Sequence, residues 1–204
     1  DQRAIQTKLK VKALSLAFTR EFFEGDSNAD PNSFDGLIKR LTGSQVITAD
    51  DGSGNGDVLK LEYIDALIDA VWGGPDVIYM NKANRRKLIS LARELEIVTV
   101  EMDSSGKVRT YYDGIPVKVV DKDNFNNDIL GFDETVGSNT ETSSIYAVRY
   151  GAEEFVCGLT NGGIQVEDLG LIPNPPVYRT LIEWYVGLAV FNPKSAARLR
   201  GIHQ

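Results

Sequence analysis

The run Val177–Phe191 is the strongest constraint on how this chain can fold. It is apolar and aromatic almost throughout, includes Tyr178, Ile182, Trp184 and Leu188, and leads straight into Asn192-Pro193 and a short basic segment ending near Ile202. A strand with that much apolar surface must be covered by another part of the chain. The opposite end of the sequence offers the cover. Asp1–Phe23 has helical period, with Val11, Leu14, Phe18 and Phe22 on one stripe and Ile5, Leu9, Leu16 and Phe23 on a neighbouring one. At 1.5 Å per residue that helix is roughly 35 Å long. The helix is therefore expected to pack on the strand Val177–Phe191, with Phe18, Phe22, Ile182 and Trp184 in the contact.

Between these ends the pattern alternates in type. Gly25-Asp26 ends the first helix. Asn32 or Ser33 is expected to cap a short helix over Phe34–Leu41, followed by a polar, glycine-rich stretch through Gly56. Val58–Trp72 reads as a helix closed by Gly73-Gly74-Pro75, and Asp76–Met80 as a short buried strand. Asn81 caps a further helix that carries Leu88, Leu91, Ala92 and Leu95 inward and Arg85, Arg86, Lys87 and Arg93 mostly outward. The period then changes to two. Strands are predicted at Val98–Met102, Val108–Tyr112, Ile115–Val120, Ile129–Phe132, Ser144–Tyr150, Phe155–Leu159 and Ile164–Asp168, with turns at Ser105-Gly106, Asp113-Gly114 and Asn161-Gly162-Gly163 and a polar loop over Asp121–Asp128. Helices and strands in mixed order with antiparallel hairpins make the fold class α+β.

The chemistry of the sequence argues against catalysis. His203 is the only histidine and stands next to the end of the chain, where fraying is expected, so a triad built on it is improbable. There is no nucleophile elbow, phosphate loop, His-Glu-x-x-His or Cys-x-x-Cys pattern, and Gly52-Ser-Gly-Asn-Gly56 lacks the spacing of a dinucleotide loop. No enzyme activity and no cofactor are expected. Cys157, the single cysteine, excludes an internal disulfide and reads as a buried apolar thiol. A balance of 22 basic against 29 acidic residues gives −7, which disfavours broad phosphate contact. No stretch approaches a membrane span, so no membrane partner is expected. The chain opens on Asp1 rather than Met, and an upstream segment is expected to have been cleaved, deleted or left out.

One metal pattern has the right spacing. Asp51, Ser53, Asn55 and Asp57 are followed by Glu62 at the twelfth position, with Gly56 at the sixth, as in a calcium loop. The segment before Asp51 does not read as an incoming helix, and Ser53 stands where Asp or Asn is wanted. The weaker of two readings is a calcium-binding module. The stronger is a mobile, metal-free loop in which Asp57 caps the next helix.

Segments in a fixed order carry a resemblance over nearly all of the chain. They are Phe22–Asp26, Phe34–Leu37, Pro75–Lys82 with Arg85–Leu88, Tyr112–Val117, Leu130–Glu134, Ser144–Gly151, Gly158–Leu169 and everything from Val177 onward. Together they resemble tailed-bacteriophage major capsid proteins of the Hong Kong 97 type. The resemblance implies a long spine helix within residues 1–31 of a peripheral domain, an axial domain over 32–169, and a return to the peripheral domain over 170–204. It also implies that the amino-terminal arm and extended loop that precede the spine helix in the family are absent here. The function implied is a major capsid protein of a phage or prophage virion, built in the bacterial host cytoplasm. Its partners would be itself, in hexamers and pentamers, with scaffolding, portal and decoration proteins and double-stranded DNA packaged without specific recognition. An encapsulin-like compartment of the same fold is the alternative. Lys194, Arg198 and Arg200 follow the last apolar strand, and the resemblance puts this end where capsomers meet. They are the candidates for pairing with carboxylates of a neighbouring subunit, against the plainer reading of a solvated end.

Overall fold

The computed structural model describes residues 2–93, 98–102, 108–173 and 176–204. The first helix, α1 (Gln2–Glu24), runs the length the stripe pattern requires. Its end is set by a close backbone approach: Gly36 N–H donates to the Gly25 carbonyl at 2.8 Å, and a Cβ on Gly25 would lie 2.2 Å from the Phe34 carbonyl oxygen. The helix expected over Phe34–Leu41 shrinks accordingly to α2 (Leu37–Arg40), and Gly36 rather than Asn32 or Ser33 stands at its cap.

A nine-stranded mixed sheet forms the body of the protein. Its strands are β1 (Val46–Thr48), β2 (Asp57–Val58), β3 (Val77–Met80), β4 (Val98–Met102), β5 (Val108–Tyr112), β6 (Ile115–Val119), β7 (Glu134–Val136), β8 (Asn139–Val148) and the last strand of the chain, Ala196–His203. The main path runs β1, the last strand, β8, β3, β6, β5, β4. Asp113 and Gly114 both take positive φ, 48° and 75°, giving the tight turn that joins β5 to β6 with right-handed twist. β1 lies inside the stretch expected to be without structure, and no strand forms over Ile129–Phe132, where Ile129 and Leu130 instead fill the core from a turn. Leu95 and the turn at Ser105-Gly106 fall outside the described residues.

Alternation along the central strands sends side chains to two separate cores. Ile78, Met80, Ile145, Ala147, Ala197 and Leu199 point to one face, which is covered by α3 (Leu61–Asp69) through Ile64 and Leu67 and by α4 (Lys82–Ala92) through Leu88. Val77, Tyr146, Val148 and Ala196 point to the other, against Phe23 of α1 and Leu37 of α2. A strand apolar on both faces is what a sheet layered between helices demands. α3 is shorter than the Val58–Trp72 helix expected because β2 takes Val58 into the sheet. The cap of α4 is as expected: Asn81 Oδ1 accepts the Asn84 N–H at 2.7 Å.

The remaining strands leave the body as one bent ribbon. β9 (Val156–Thr160) continues into β10 (Gln165–Pro173), and β11 (Pro176–Glu183) returns into β12 (Val186–Val190). β10 pairs antiparallel with β11 and β12 with β9. The single strand expected over Val177–Phe191 is thus two, broken at Trp184-Tyr185. Four residues of the outgoing leg, 161–164, oppose two of the returning leg, so the ribbon has to turn there. The final strand, β13 (Ala196–His203), re-enters the nine-stranded sheet between β1 and β8. Within the span 170–204 expected to be peripheral, this strand lies in the central sheet. His203 is correspondingly not frayed: it is half-buried and paired with Val58.

Candidate assembly surfaces

The first helix meets the ribbon as expected from the sequence. Phe18 and Trp184 have ring centroids 4.8 Å apart, and the Trp184 indole N–H donates to Thr160 Oγ1 at 3.3 Å across the bend. Nearer the tip, the Arg3 guanidinium lies 4.6 Å from the centre of the Tyr178 ring and pairs with Asp168. The Gly170 N–H, and then Arg3, hold the Asp168 carboxyl below its usual range. At its other end the helix is tied down by Arg20, which reaches the buried Asp123 at 3.1 Å. Burial works to raise the Asp123 pKa, but the N–H groups of Asn127 and Phe125, the Asn127 side chain and Arg20 outweigh it and keep the carboxylate charged.

Cover along the ribbon is incomplete. Tyr178 is 64% exposed, Leu171 56% and Val177 47%, and Ile5 and Leu9 of α1 stand out beside them. Among the described residues β10 and β11 each pair only with the other, so both outer edges present unpaired backbone N–H and C=O groups. A two-stranded ribbon with open edges and apolar side chains is marginal alone in water and is suited to a protein partner.

The three basic candidates do not form one surface. Lys194 sits in a turn, Pro193–Ser195, capped by Asn192, with its side chain exposed. Arg200 donates from Nε to Thr48 Oγ1 at 3.0 Å and is exposed. Arg198 is held inside the chain: it bonds Glu134 Oε2 at 2.8 Å and Ser144 Oγ at 2.9 Å, and only 13% of its side chain is exposed. It is committed inside the chain because β13 lies beside β8, whose Ser144 and neighbouring Glu134 it meets. Nothing in the local sequence marks Glu134 as its partner.

Asp51, Ser53, Asn55 and Asp57 of the calcium pattern take hydrogen bonds from within the chain. A strand, β1, and not a helix precedes the loop. Asp51 Oδ1 accepts the Ser53 N–H at 2.9 Å, Ser53 Oγ accepts the Asn55 N–H at 3.3 Å, and Asn55 Oδ1 accepts from Ser138 at 2.9 and 2.8 Å. Asp57 is not the helix cap, a place taken by Lys60, but accepts the Tyr63 hydroxyl at 2.6 Å and pairs with Lys60 at 2.5 Å. Burial pushes its pKa up, yet Lys60, Tyr63 and the Val58 N–H outweigh that and hold it below the usual carboxylate range. Glu62 is exposed on α3. Calorimetric titration with calcium chloride is expected to give no binding tighter than about 10⁻⁵ M; tighter binding that is lost on Glu62→Gln would restore the metal reading.

Among the described residues no group of three or more His, Cys, Asp or Glu is placed to hold a metal ion, and no helix is long and apolar enough to cross a membrane. A largely apolar cleft of about 610 Å³ lies between α1 and the segment 118–122, with the Tyr79 and Tyr150 hydroxyls 2.9 Å apart on its wall. Burial, and then Tyr79, push the Tyr150 pKa well up.

No protein-family model matches the chain, and no curated protein matches it in sequence. Solved structures do match it. The SrpI encapsulin of Synechococcus elongatus, seen as a holo complex, superposes over 100% of this chain with a TM-score of 0.76 at 16% identity. This chain covers 66% of that one, just under two thirds of its length. The capsid of an empty GTA particle matches 98% of this chain and 66% of its own, with a TM-score of 0.58 at 12% identity. The procapsid of satellite phage P4, which includes a size determination protein, matches 100% and 68% with a TM-score of 0.51 at 11% identity. The long helix, the layered mixed sheet and the outlying ribbon are the α+β architecture of the Hong Kong 97-type shell proteins, and that is the fold of this chain.

Proposed function

We propose that this protein is the subunit of a closed protein shell, assembling with copies of itself into pentamers and hexamers. The observation that carries this reading is the likeness to a shell-forming encapsulin along the whole chain, at a TM-score of 0.76. The open-edged ribbon supports it, since a shell subunit has to bury apolar surface against neighbours. In this reading α1 and the ribbon β9–β12 form the peripheral part, and the nine-stranded sheet with α3, α4 and β13 the axial part. Lys194 and Arg200 remain available to a neighbour's carboxylates, whereas Arg198 does not.

For the contents we favour DNA, in the head of a tailed phage or prophage assembled in the host cytoplasm with scaffolding, portal and decoration proteins. A net charge of −7 suits a wall that must not grip phosphate tightly. A protein-filled, encapsulin-like compartment is the second reading, favoured by the higher TM-score with the encapsulin than with the P4 and GTA particles. The test is expression of the complete gene product followed by light scattering and electron microscopy. Closed particles of uniform size are expected. Nuclease-resistant DNA inside native particles supports the phage reading and packaged protein the compartment. A product that stays monomeric under all assembly conditions overturns the shell assignment.

A further inference from the structure

Helices α3 and α4 lie side by side over the sheet face away from α1, each burying an apolar stripe against it. Their outward stripes carry opposite charge. On α3, Glu62, Asp65 and Asp69 recur at helical spacing and are exposed, and Trp72 follows at the next spacing, 65% exposed. On α4 the exposed stripe is Arg86 and Arg93, flanked by Lys87. Among the described residues, Glu62, Asp69, Arg86, Lys87 and Arg93 make no ion pair inside the chain. Asp65 alone is used, accepting the Tyr112 hydroxyl at 2.6 Å.

We infer that the acidic stripe of α3, with Trp72 as its anchor, docks on the basic stripe of α4 from a second copy of this chain. The inference rests on the shell-subunit reading and names one of its contacts. Both stripes point away from the sheet, so they cannot face each other within one molecule and can meet only between two. Opposite charge in matched rows steers and registers such a contact. An exposed tryptophan is the residue type that most often dominates an interface, and its ring takes an arginine guanidinium on its face. Carboxylates and guanidinium groups on adjacent helices, left without ion pairs inside the chain, are complementary to a second copy of it.

Charge reversal in the complete protein tests it, with assembly followed by light scattering and electron microscopy and folding by circular dichroism. Glu62→Lys with Asp69→Lys, and separately Arg86→Glu with Arg93→Glu, are each expected to leave the subunit folded and to weaken assembly about tenfold. Combining all four substitutions in one chain restores assembly, because each reversed stripe then meets its complement on the next copy. Trp72→Ala weakens assembly without charge change. If the unaltered protein forms particles and the reversed variants form them equally well, or if the fourfold reversal in one chain gives no rescue, this contact is wrong while the shell reading stands. If the unaltered protein does not self-associate, the shell reading fails and the contact fails with it.

Discussion

Ending the chain at Ser195 is expected to abolish cooperative folding. The deletion removes β13, which pairs with β1, β2 and β8 and is the link that joins β1 and β2 to the rest of the sheet. It also strips both cores, since Ala196 belongs to one and Ala197, Leu199 and Ile202 to the other, all at 0% exposure. Loss of Leu199 or Ile202 alone is worth about 2–5 kcal/mol. Two such losses and three broken ladders together match the roughly 5–15 kcal/mol by which a domain is usually stable. Circular dichroism during a urea titration checks it: the truncated chain shows no sigmoidal transition, while Leu199→Ala keeps one at lower midpoint. A truncated protein that unfolds as cooperatively as the parent would mean that β13 is an appendage after all.

Phe23→Ala carries the second large effect. Phe23 is 1% exposed and is the point at which α1 enters the core, with ring centroids of Tyr146, Tyr79 and Phe22 at 5.1, 5.5 and 5.0 Å. Removing a fully buried phenyl ring costs about 3–5 kcal/mol, through lost transfer energy and the cavity left behind. Phe18→Ala, five residues earlier, should cost much less, because Phe18 is half-buried and its main partner, Trp184, belongs to the ribbon. Urea denaturation of both variants separates the two. Equal losses would show that α1 is held along its whole length, and the view of a helix anchored at one end and lying on a partly uncovered ribbon at the other would have to be dropped.

The contrast between these two sites shows what kind of information the chain carries locally. The stripe through Phe18, Phe22 and Phe23 repeats within a few residues, so α1 was legible, and so was the need for an apolar partner at the other end. The Asn81 cap and the Asp113-Gly114 turn were legible for the same reason: backbone geometry within four residues decides them. The bend at Trp184-Tyr185 was not, because nothing in a continuous apolar run tells where its partner strand gains two residues. The five oxygen-bearing positions of the calcium pattern were counted correctly and read wrongly in part, since spacing says nothing about which N–H, hydroxyl or ammonium group reaches each oxygen first.

The basic segment after Asn192-Pro193 is the sharpest case. Arg198-Leu199-Arg200 alternates as a strand does, yet an alternation this short has the same appearance in a solvated tail. Its pairing with Val46–Thr48 and its bond to Glu134 join residues far apart along the chain, and such pairings leave no local trace. By itself the sequence determined the α+β class, the long helix, the short buried strand β3, and the absence of familiar catalytic motifs, because each is written in side-chain period or residue type. Only the tertiary structure decided that the last strand lies inside the main sheet, that Arg198 is spent within the chain, and that the acidic and basic stripes of α3 and α4 face outward together. Those outcomes depend on strand register and helix placement, which are set by the packing of the whole molecule and not by any one segment of it.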